Sequence, residues 1–309
     1  MINTITLNPA MDRIIEVDTF HLNRMNRIQD TVDCIGGKGT HIAYNLSLLG
    51  VENRTFGIAS GNTGKEIIRI LEDCGATTEY IWRQTPESRT NYLLIDGHKN
   101  CTFLAEAGHM LNTRITDELL DRVRSHTETN DILVIAGDAS NVEDEHIQMK
   151  LLDIARAKEM KLYLDSSGAF MQKGIAYHPY MIKPNMEELA ELVGYEVHTP
   201  EDVVAAIGRL PDIPMIMVSM GADGWIFRFG GKLRRGHGLR VPVKNTAGCG
   251  DALLSALLYA FEYADTDLDG KLAFATALSA SCAMTDMTAG FDIRDVKRLQ
   301  KDVLIEEIS

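Results

Sequence analysis

The chain has 309 residues, of which 45% are hydrophobic and 24% are charged, a balance typical of a soluble globular protein. This length predicts one large domain, with room for a small appendage. The formal net charge of −13 argues against binding to nucleic acid or to an anionic membrane surface, although a local cluster of basic side chains and backbone N–H groups can still bind phosphate.

The first part of the chain alternates between strands and helices. Residues 2–7 form a short apolar run that predicts a strand, and residues 39–49 have apolar residues at helical spacing up to Gly50. A second strand is predicted at 54–59 and a second helix at 63–74. No charged and apolar leader precedes the first strand, so we expect no signal peptide.

The same alternation continues in the second part of the chain. Short apolar runs predict strands at 131–136, 161–164 and 214–219, and residues 144–158 predict an amphipathic helix. Strands alternating with helices are typical of βαβ units. The sequence therefore predicts an α/β fold with a mostly parallel sheet covered by helices on both faces.

Two regions interrupt this alternation. Residues 14–35 carry short alternating runs without a helix, and residues 89–104 resemble a hairpin that turns at Gly97 and His98. We interpret both as parts of a small β flap that covers the site. The alternative is that they are two ordinary surface loops.

The apolar stretches and the cysteines give information about the cellular location of the protein. The stretches at 252–261 and 272–285 are too short to span a bilayer and predict buried helices. The five cysteines are odd in number and form no CxxC pair, which favours reduced thiols over a disulfide framework or a zinc site. We expect a cytoplasmic protein with no membrane or nucleic-acid partner.

The segment KNTAGCGD, residues 244–251, gives the strongest chemical signal. A glycine-rich turn leads into an apolar helix, whose first-turn N–H groups and dipole favour an anion. The turn would bind it through Gly248, Cys249 and Gly250, with Asp251 beside them. A dinucleotide fingerprint is excluded because Leu253 replaces the required glycine. The alternative is an ordinary helix start whose first-turn carboxylate is Asp251.

Two further segments have both a chemical and a structural interpretation. In KPNMEE, residues 183–188, Asn185 and Glu188 could position magnesium through water, but they also have the spacing of a helix capping box. In SMGADG, residues 219–224, the glycines could let the backbone approach a nucleotide, or they could form a tight hairpin turn.

Basic and acidic residues near the predicted strand ends could bind a small ligand. GGKG, residues 36–39, would let a ligand approach the backbone and offers Lys38 to a phosphate. Asp12 follows the first strand and could bind a hydroxyl group, and Arg89 could form a fork on a phosphate. A flexible turn, a turn carboxylate and an exposed strand-edge arginine are the respective alternatives.

Taken together, these segments resemble the ribokinase-like carbohydrate kinase family. They are most similar to its phosphofructokinase B branch, which includes 1-phosphofructokinase and tagatose-6-phosphate kinase. The resemblance runs through TLNPAMD, GGKG, SRTN, LDSSG, IKPNMEEL, SMGADG and NTAGCGD in that order, over about residues 1–255. It implies a doubly wound sheet with a small β-sheet lid, and ATP as phosphoryl donor. The domain prediction is a single unit at 1–309, with lid insertions at about 12–35 and 88–106.

The resemblance also implies a role for each matching residue. Asp251 would be the catalytic base, and the backbone of Gly248, Cys249 and Gly250 would form the anion hole. Asn185 and Glu188 would act near Mg²⁺, Lys183 would lie beside the triphosphate, and Ser219, Gly221 and Gly224 would lie by the nucleotide. Asp12, Gly37 and Asn91 would bind sugar hydroxyls, while Lys38 and Arg89 would bind the phosphate of a sugar phosphate.

Departures from the family pattern leave the substrate open. Cys249 stands where the family usually has alanine, and Asp138 adds a carboxylate beside the expected sugar site. Fructose 1-phosphate, tagatose 6-phosphate and fructose 6-phosphate all remain candidates. A kinase of an unphosphorylated sugar or nucleoside alcohol, and a sugar-phosphate-binding regulator without catalysis, are the alternative functions. A homodimer formed through the lid is a further expectation.

Overall fold

The computed structural model describes residues 1–137, 139, 141–144 and 146–308. The strands are β1 (Ile2–Thr6), β2 (Ala10–Glu16), β3 (Asp30–Gly36), β4 (Asn53–Ser60), β5 (Thr77–Arg83), β6 (Arg89–Ile95), β7 (Cys101–Ala105), β8 (Ile132–Ala136), β9 (Lys161–Asp165), β10 (Met181–Ile182), β11 (Met215–Ser219), β12 (Trp225–Phe229), β13 (Lys232–Gly236) and β14 (Ile305–Ile308). The helices are α1 (Lys38–Leu48), α2 (Gly61–Asp73), α3 (Thr113–His126), α4 (Ile147–Ala157), α5 (Gly168–Ile175), α6 (Met186–Val193), α7 (Pro200–Ile207), α8 (Cys249–Glu262), α9 (Leu268–Ala283) and α10 (Ile293–Leu299).

Within these described residues the strands form two sheets. The large sheet has ten strands in the order β14-β13-β12-β11-β10-β9-β8-β1-β4-β5, and the small sheet has four in the order β3-β2-β6-β7. Neighbours from β11 to β5 are parallel, whereas β12, β13 and β14 extend one edge in antiparallel fashion. The predicted fold class, a mostly parallel sheet with a separate small sheet, is confirmed.

Helices cover both faces of the large sheet. Successive strand residues point to opposite faces, so neighbouring apolar residues join different cores. Leu133 of β8 belongs to a core with Leu119 of α3 and Leu151 of α4. The next residue, Val134, packs in a core with Leu257 of α8. The continuous apolar run of β8 is therefore buried on both sides, as expected for a central parallel strand.

The apolar stretches at 252–261 and 272–285 correspond to α8 and α9, which pack against each other and bury most of their length. They are buried helices, as predicted. No helix in the described ranges has the length and hydrophobicity needed to cross a membrane.

The small sheet joins the two regions that interrupt the α/β alternation. Strand β2 pairs antiparallel with β3 and parallel with β6, and β6 pairs antiparallel with β7. Ile14, Cys34, Leu93 and Ile95 form a small core of their own, against which Ala247 packs from the turn before α8. These regions are therefore paired strands rather than separate surface loops, and their sheet lies against the start of α8.

Candidate active site

A cavity of about 400 Å³ opens where the two sheets meet. It lies beyond the carboxyl ends of β1, β8 and β9, where open α/β sheets bind their ligands. Its lining residues are Thr6, Leu7, Asn8, Asp12, Gly37, Lys38, His41, Arg89, Asn91, Phe103, Ala136, Gly137, Ser166, Ser167, Glu188, Ala247, Gly248 and Asp251.

Helix α8 presents its N-terminus to this cavity. The N-cap residue, Gly248, has a φ of 77°, and a Cβ atom there would lie 1.7 Å from the backbone oxygen of Thr288. Only glycine fits this turn. Asp251 follows in the first helical turn and is only 6% exposed. A nearly buried carboxylate thus lies beside backbone N–H groups that favour an anion.

A histidine connects two carboxylates in the wall of the cavity. Nδ1 of His41 lies 2.6 Å from Oδ2 of Asp251. Nε2 of the same ring lies 2.9 Å from the backbone oxygen of Ile35 and 3.5 Å from Oδ2 of Asp12. Asn91 donates a hydrogen bond to Oδ1 of Asp12 at 2.7 Å. We call Asp12, His41, Asn91 and Asp251 the histidine cluster.

The histidine cluster changes the proton affinity of its central ring. Burial alone would lower the pKa of His41, because it disfavours the charged form. Hydrogen bonds and charge attraction from Asp12 and Asp251 act more strongly in the other direction and raise the pKa of His41 to about 10. At neutral pH the ring is therefore an imidazolium held between two carboxylates.

A second group of charges lies beside the same cavity. Nζ of Lys38 lies 3.2 Å from Oδ1 of Asp165 and 3.8 Å from Oε1 of Glu188. Lys183 approaches the other oxygen of Asp165 at 3.1 Å. Burial would raise the pKa of Asp165, but Lys183 and Lys38 lower it below its ordinary value. We call Lys38, Asp165, Lys183 and Glu188 the lysine cluster.

Arg89 lines the cavity from the first residue of β6. Its Nε donates to the backbone oxygen of Asn8, and Nη1 donates to that of Glu106, both at 3.1 Å. These bonds fix the guanidinium plane at the entrance between the two sheets. The site therefore combines a helix N-terminus, two basic side chains and a buried carboxylate.

Comparison with known proteins shows which family has this arrangement. The family model for the pfkB family carbohydrate kinases matches residues 5–294. The chain belongs to the pfkB family of carbohydrate kinases. It is therefore an enzyme that transfers a phosphoryl group from ATP to a carbohydrate, and the resemblance identified from its motifs is confirmed.

Relatives and solved structures match over nearly the whole chain. The 1-phosphofructokinase of Borreliella burgdorferi is 27% identical over 312 residues, which cover 100% of this chain and 99% of that protein. The D-tagatose-1-phosphate kinase of Bacillus licheniformis is 28% identical over 261 residues, or 84% of each chain. Phosphofructokinase-2 from Escherichia coli, solved with substrates and products, superposes with a TM-score of 0.87 at 22% identity, covering 97% of this chain and 98% of that chain. This last likeness shows the shared kinase fold.

Several predicted residues of the kinase lie together around the cavity, which is lined by Asp12, Gly37, Lys38, Arg89, Asn91, Glu188, Gly248 and Asp251. Lys183 lies just behind this wall, because a Cβ atom on Gly250 would be 3.5 Å from its Nζ. The predicted residue Asp138 lies outside the described residues.

The residues expected near the nucleotide follow β10 and β11, the next two strands of the sheet after β9. Ser219 ends β11 and forms an isolated bridge with Asn185. The following turn connects β11 to the antiparallel strand β12, so the backbone of SMGADG forms the predicted hairpin turn. Its role at the nucleotide is a separate prediction. A Cβ atom on Gly224 would lie 2.0 Å from the backbone oxygen of Gly236, which explains the glycine structurally.

The helix start at α6 has both capping bonds. Oδ1 of Asn185 accepts from the backbone N–H of Glu188 at 2.8 Å, and Oε2 of Glu188 accepts from that of Asn185 at 2.9 Å. Oε1 of Glu188 is the oxygen nearest Lys38. Glu188 therefore caps the helix and lines the cavity at the same time.

Sequence reasoning gave no role to two central residues, His41 and Asp165. Asp165 could have been found from its place at the end of a buried strand within LDSSG, where parallel sheets bind ligands. His41 lies one helical turn after Lys38, so both side chains come from the same end of α1. That spacing was the signal available in the sequence.

Proposed function

We propose that this kinase transfers the γ-phosphoryl group of ATP to a hydroxyl of a ketohexose monophosphate, giving a bisphosphate. The observation that carries the proposal is that one cavity is lined by the buried Asp251 and by the basic side chains of Lys38 and Arg89. A carboxylate suits the deprotonation of a hydroxyl, and two basic groups suit a phosphate already on the sugar. The fructose and tagatose in the names of the curated relatives support a ketohexose.

Asp251 accepts the proton of the attacking hydroxyl in this proposal. Phosphoryl transfer depends mainly on positioning and on stabilising charge on the transferred group. The backbone N–H groups at Gly248, Cys249 and Gly250 lie at the positive end of α8, so they form the anion hole for that group.

The acceptor sugar would lie between the small sheet and α8. Asp12, held by Asn91, binds its hydroxyl groups, and Gly37 allows it to approach the backbone at the start of α1. Phe103 of β7 also lines the cavity and would help exclude water, which competes as an acceptor.

The ATP donor would extend from the cavity towards the end of β11. Lys183 lies beside the start of α8 and suits a triphosphate oxygen. Asn185 and Ser219, joined by their bridge, lead to the turn at Gly221 and Gly224, where we place the nucleotide.

The donor set at Glu188 fits magnesium. Mg²⁺ keeps several waters and takes one or two carboxylates together with substrate phosphates. Glu188 lines the cavity and has one oxygen, Oε1, that is not the capping oxygen, while Asn185 is its neighbour at the helix start. Glu188 would hold the ion, with Asn185 acting through water. When bound, magnesium neutralises charge on the phosphates.

The small sheet is the lid of a single kinase domain spanning residues 1–309 in this proposal, and it also forms a homodimer contact. Strand β7 is exposed along its whole length, including Leu104 at 56%. In the loop between β2 and β3, Leu22 and Met25 are 77% and 82% exposed. A second copy would cover these apolar residues.

The oligomeric state can be tested by light scattering. A protein that stays monomeric at all concentrations would contradict the dimer. A cytoplasmic location remains part of the proposal.

The experiment that tests this function measures ADP release with a panel of acceptors. The panel contains the 1- and 6-phosphates of fructose and tagatose, unphosphorylated fructose, and a nucleoside. We expect release with at least one hexose monophosphate, well above the rate without acceptor. Release only with an unphosphorylated alcohol would favour the first alternative. Binding of a sugar phosphate without release for any acceptor would favour the regulator.

A further inference from the structure

His41 is a buried polar residue of α1 that no predicted role accounts for. Its side chain is only 7% exposed, yet it lines the cavity. Its partners come from three other elements, with Asp12 on β2, Ile35 on β3 and Asp251 on α8. The ring is therefore fixed from three sides.

The position of the protons on this ring follows from its partners. A backbone carbonyl can only accept a hydrogen bond, so Nε2 of His41 must carry a hydrogen towards Ile35. The contact of 2.6 Å between Nδ1 and Oδ2 of Asp251 also needs one proton. A neutral ring beside an ionised carboxylate would direct two lone pairs at each other. The pair must therefore hold a shared proton.

Two protonation states satisfy this requirement, one ionic and one neutral, and Asp12 distinguishes them. The proton can lie on His41, giving an imidazolium, or on Asp251, giving a neutral acid that could not act as a base. Oδ2 of Asp12 lies 3.5 Å from Nε2 and favours the imidazolium. Burial opposes that charge, but the two carboxylates prevail and raise the pKa of His41 to about 10.

The other charged and titratable groups near α1 do not change the assignment of the shared proton to His41. Lys38, on the same helix, has its amine at Asp165 and Glu188. The thiol of Cys34 on β3 lies 3.2 Å from the hydroxyl of Thr288. Asp12 and Asp251 are thus the titratable partners that act most directly on His41.

We propose that His41 is a positioning residue for phosphoryl transfer, which orients Asp251 through Oδ2 and ties it to Asp12 on the sugar side. This inference rests on the proposed function, since Asp251 must be the base. Holding one carboxylate oxygen fixes the direction of the other, and a base misplaced by about 1 Å can lose roughly 100-fold in rate. The same imidazolium offsets part of the negative charge that an anionic sugar phosphate would meet.

The experiment compares His41→Asn with the wild-type kinase. We expect kcat to fall about 10- to 100-fold, with KM for ATP changed less than about 2-fold, because only the acceptor side loses its orientation. The wild-type kcat should also fall as the pH approaches about 10, where His41 loses its proton, and this alkaline limb should be missing from the variant. His237→Asn is the matched control, because His237 pairs with Glu306 at an exposed site.

A measurement without substrate keeps the inference testable if the variant folds poorly. Nitrogen NMR of histidine-labelled wild-type protein should show both ring nitrogens of His41 protonated at pH 8. An unprotonated Nδ1 at pH 8, or a His41→Asn enzyme that keeps both the wild-type kcat and the alkaline limb, would overturn the proposal. Failure of the wild-type enzyme to release ADP with every acceptor would instead contradict the proposed function, and the role of His41 with it.

Discussion

The two charge clusters beside the cavity are built around different cations. In the lysine cluster, Asp165 and Glu188 act together with Asp251 of the histidine cluster to outweigh burial, and they raise the pKa of Lys38 above its ordinary value, so its charge persists at any physiological pH. In the histidine cluster, the central charge depends on a proton shared between His41 and Asp251. A permanent cation suits a bound phosphate, whereas a titratable partner suits a residue that must accept a proton.

The central side chains of the two clusters also differ in solvent exposure. Lys38 keeps 37% of its side chain exposed although its partner Asp165 is fully buried, so the lysine can still reach a ligand. In the histidine cluster, the side chains of His41 and Asp251 are only 7% and 8% exposed. Under the proposed function, the lysine cluster forms a phosphate side of the cavity and the histidine cluster a proton side, and the variants below test that division.

The largest effect is expected on the proton side. Asp251→Asn should lower kcat by about 10²- to 10⁴-fold, because a positioned base contributes that much, while binding of the sugar phosphate is retained. Steady-state ADP release and calorimetric binding measure the two quantities. Asp269→Asn is the control, because Asp269 also lies in the first turn of an apolar helix but is exposed. A near-normal kcat in Asp251→Asn would remove this residue from the mechanism.

The next effect is expected on the phosphate side. Lys38→Met should raise KM for the sugar phosphate about 10- to 100-fold and KM for ATP much less, because a charge-assisted contact is lost. Lys161→Met is a close control, since Lys161 is 34% exposed and pairs with Glu262 away from the cavity. A selective loss of ATP affinity would instead place the lysine cluster on the donor side.

The sequence predicted most of the residues in both clusters but missed one central residue in each, His41 and Asp165, for a physical reason. Lys38 and Asp251 each lie in a local glycine-rich motif at a helix start, which made them candidates, and the resemblance to the kinase family implied their roles. The signal for His41, its position one helical turn after Lys38, is weak, because its partner Asp251 is 210 residues away in the chain. A buried polar residue is explained only by its partners, and these come from elements that the fold brings together.

The fold was predictable to a similar extent. Apolar runs identified the parallel strands, because a strand buried on both faces is almost wholly apolar. They did not predict the antiparallel edge of β12, β13 and β14. Strand β14, the last of these, pairs with β13 although about 70 residues separate them, and its four residues are only half-buried or exposed, which leaves a weak apolar pattern. In the site, the predicted position of Asp138 beside the sugar stays a prediction.

The two clusters should lose their contributions to folding stability at opposite ends of the pH range. His41 has a raised pKa, so its stabilisation is complete below about pH 6.5 and is lost as the pH rises towards about 10. Asp165 has a lowered pKa, so its contribution is complete above about pH 3.8 and is lost as the pH falls below that value. Thermal melts should therefore show a Tm gap between wild type and His41→Asn that is largest near pH 6.5 and narrows towards pH 10. A gap that is constant across this range would contradict the charged assignment.

The smallest effect is expected at Glu188, where capping and magnesium binding use the same side chain. Glu188→Gln keeps an amide oxygen that can accept from the N–H of Asn185, so the cap survives and stability should fall by less than about 1 kcal/mol. The carboxylate charge is lost, so half-maximal activity should require more magnesium. Asp202→Asn provides a matched control, because Asp202 completes the capping box of α7 at an exposed site. Magnesium titrations and thermal melts of both variants measure the two roles independently. A large loss of Tm in Glu188→Gln with an unchanged magnesium requirement would show that Glu188 only caps α6.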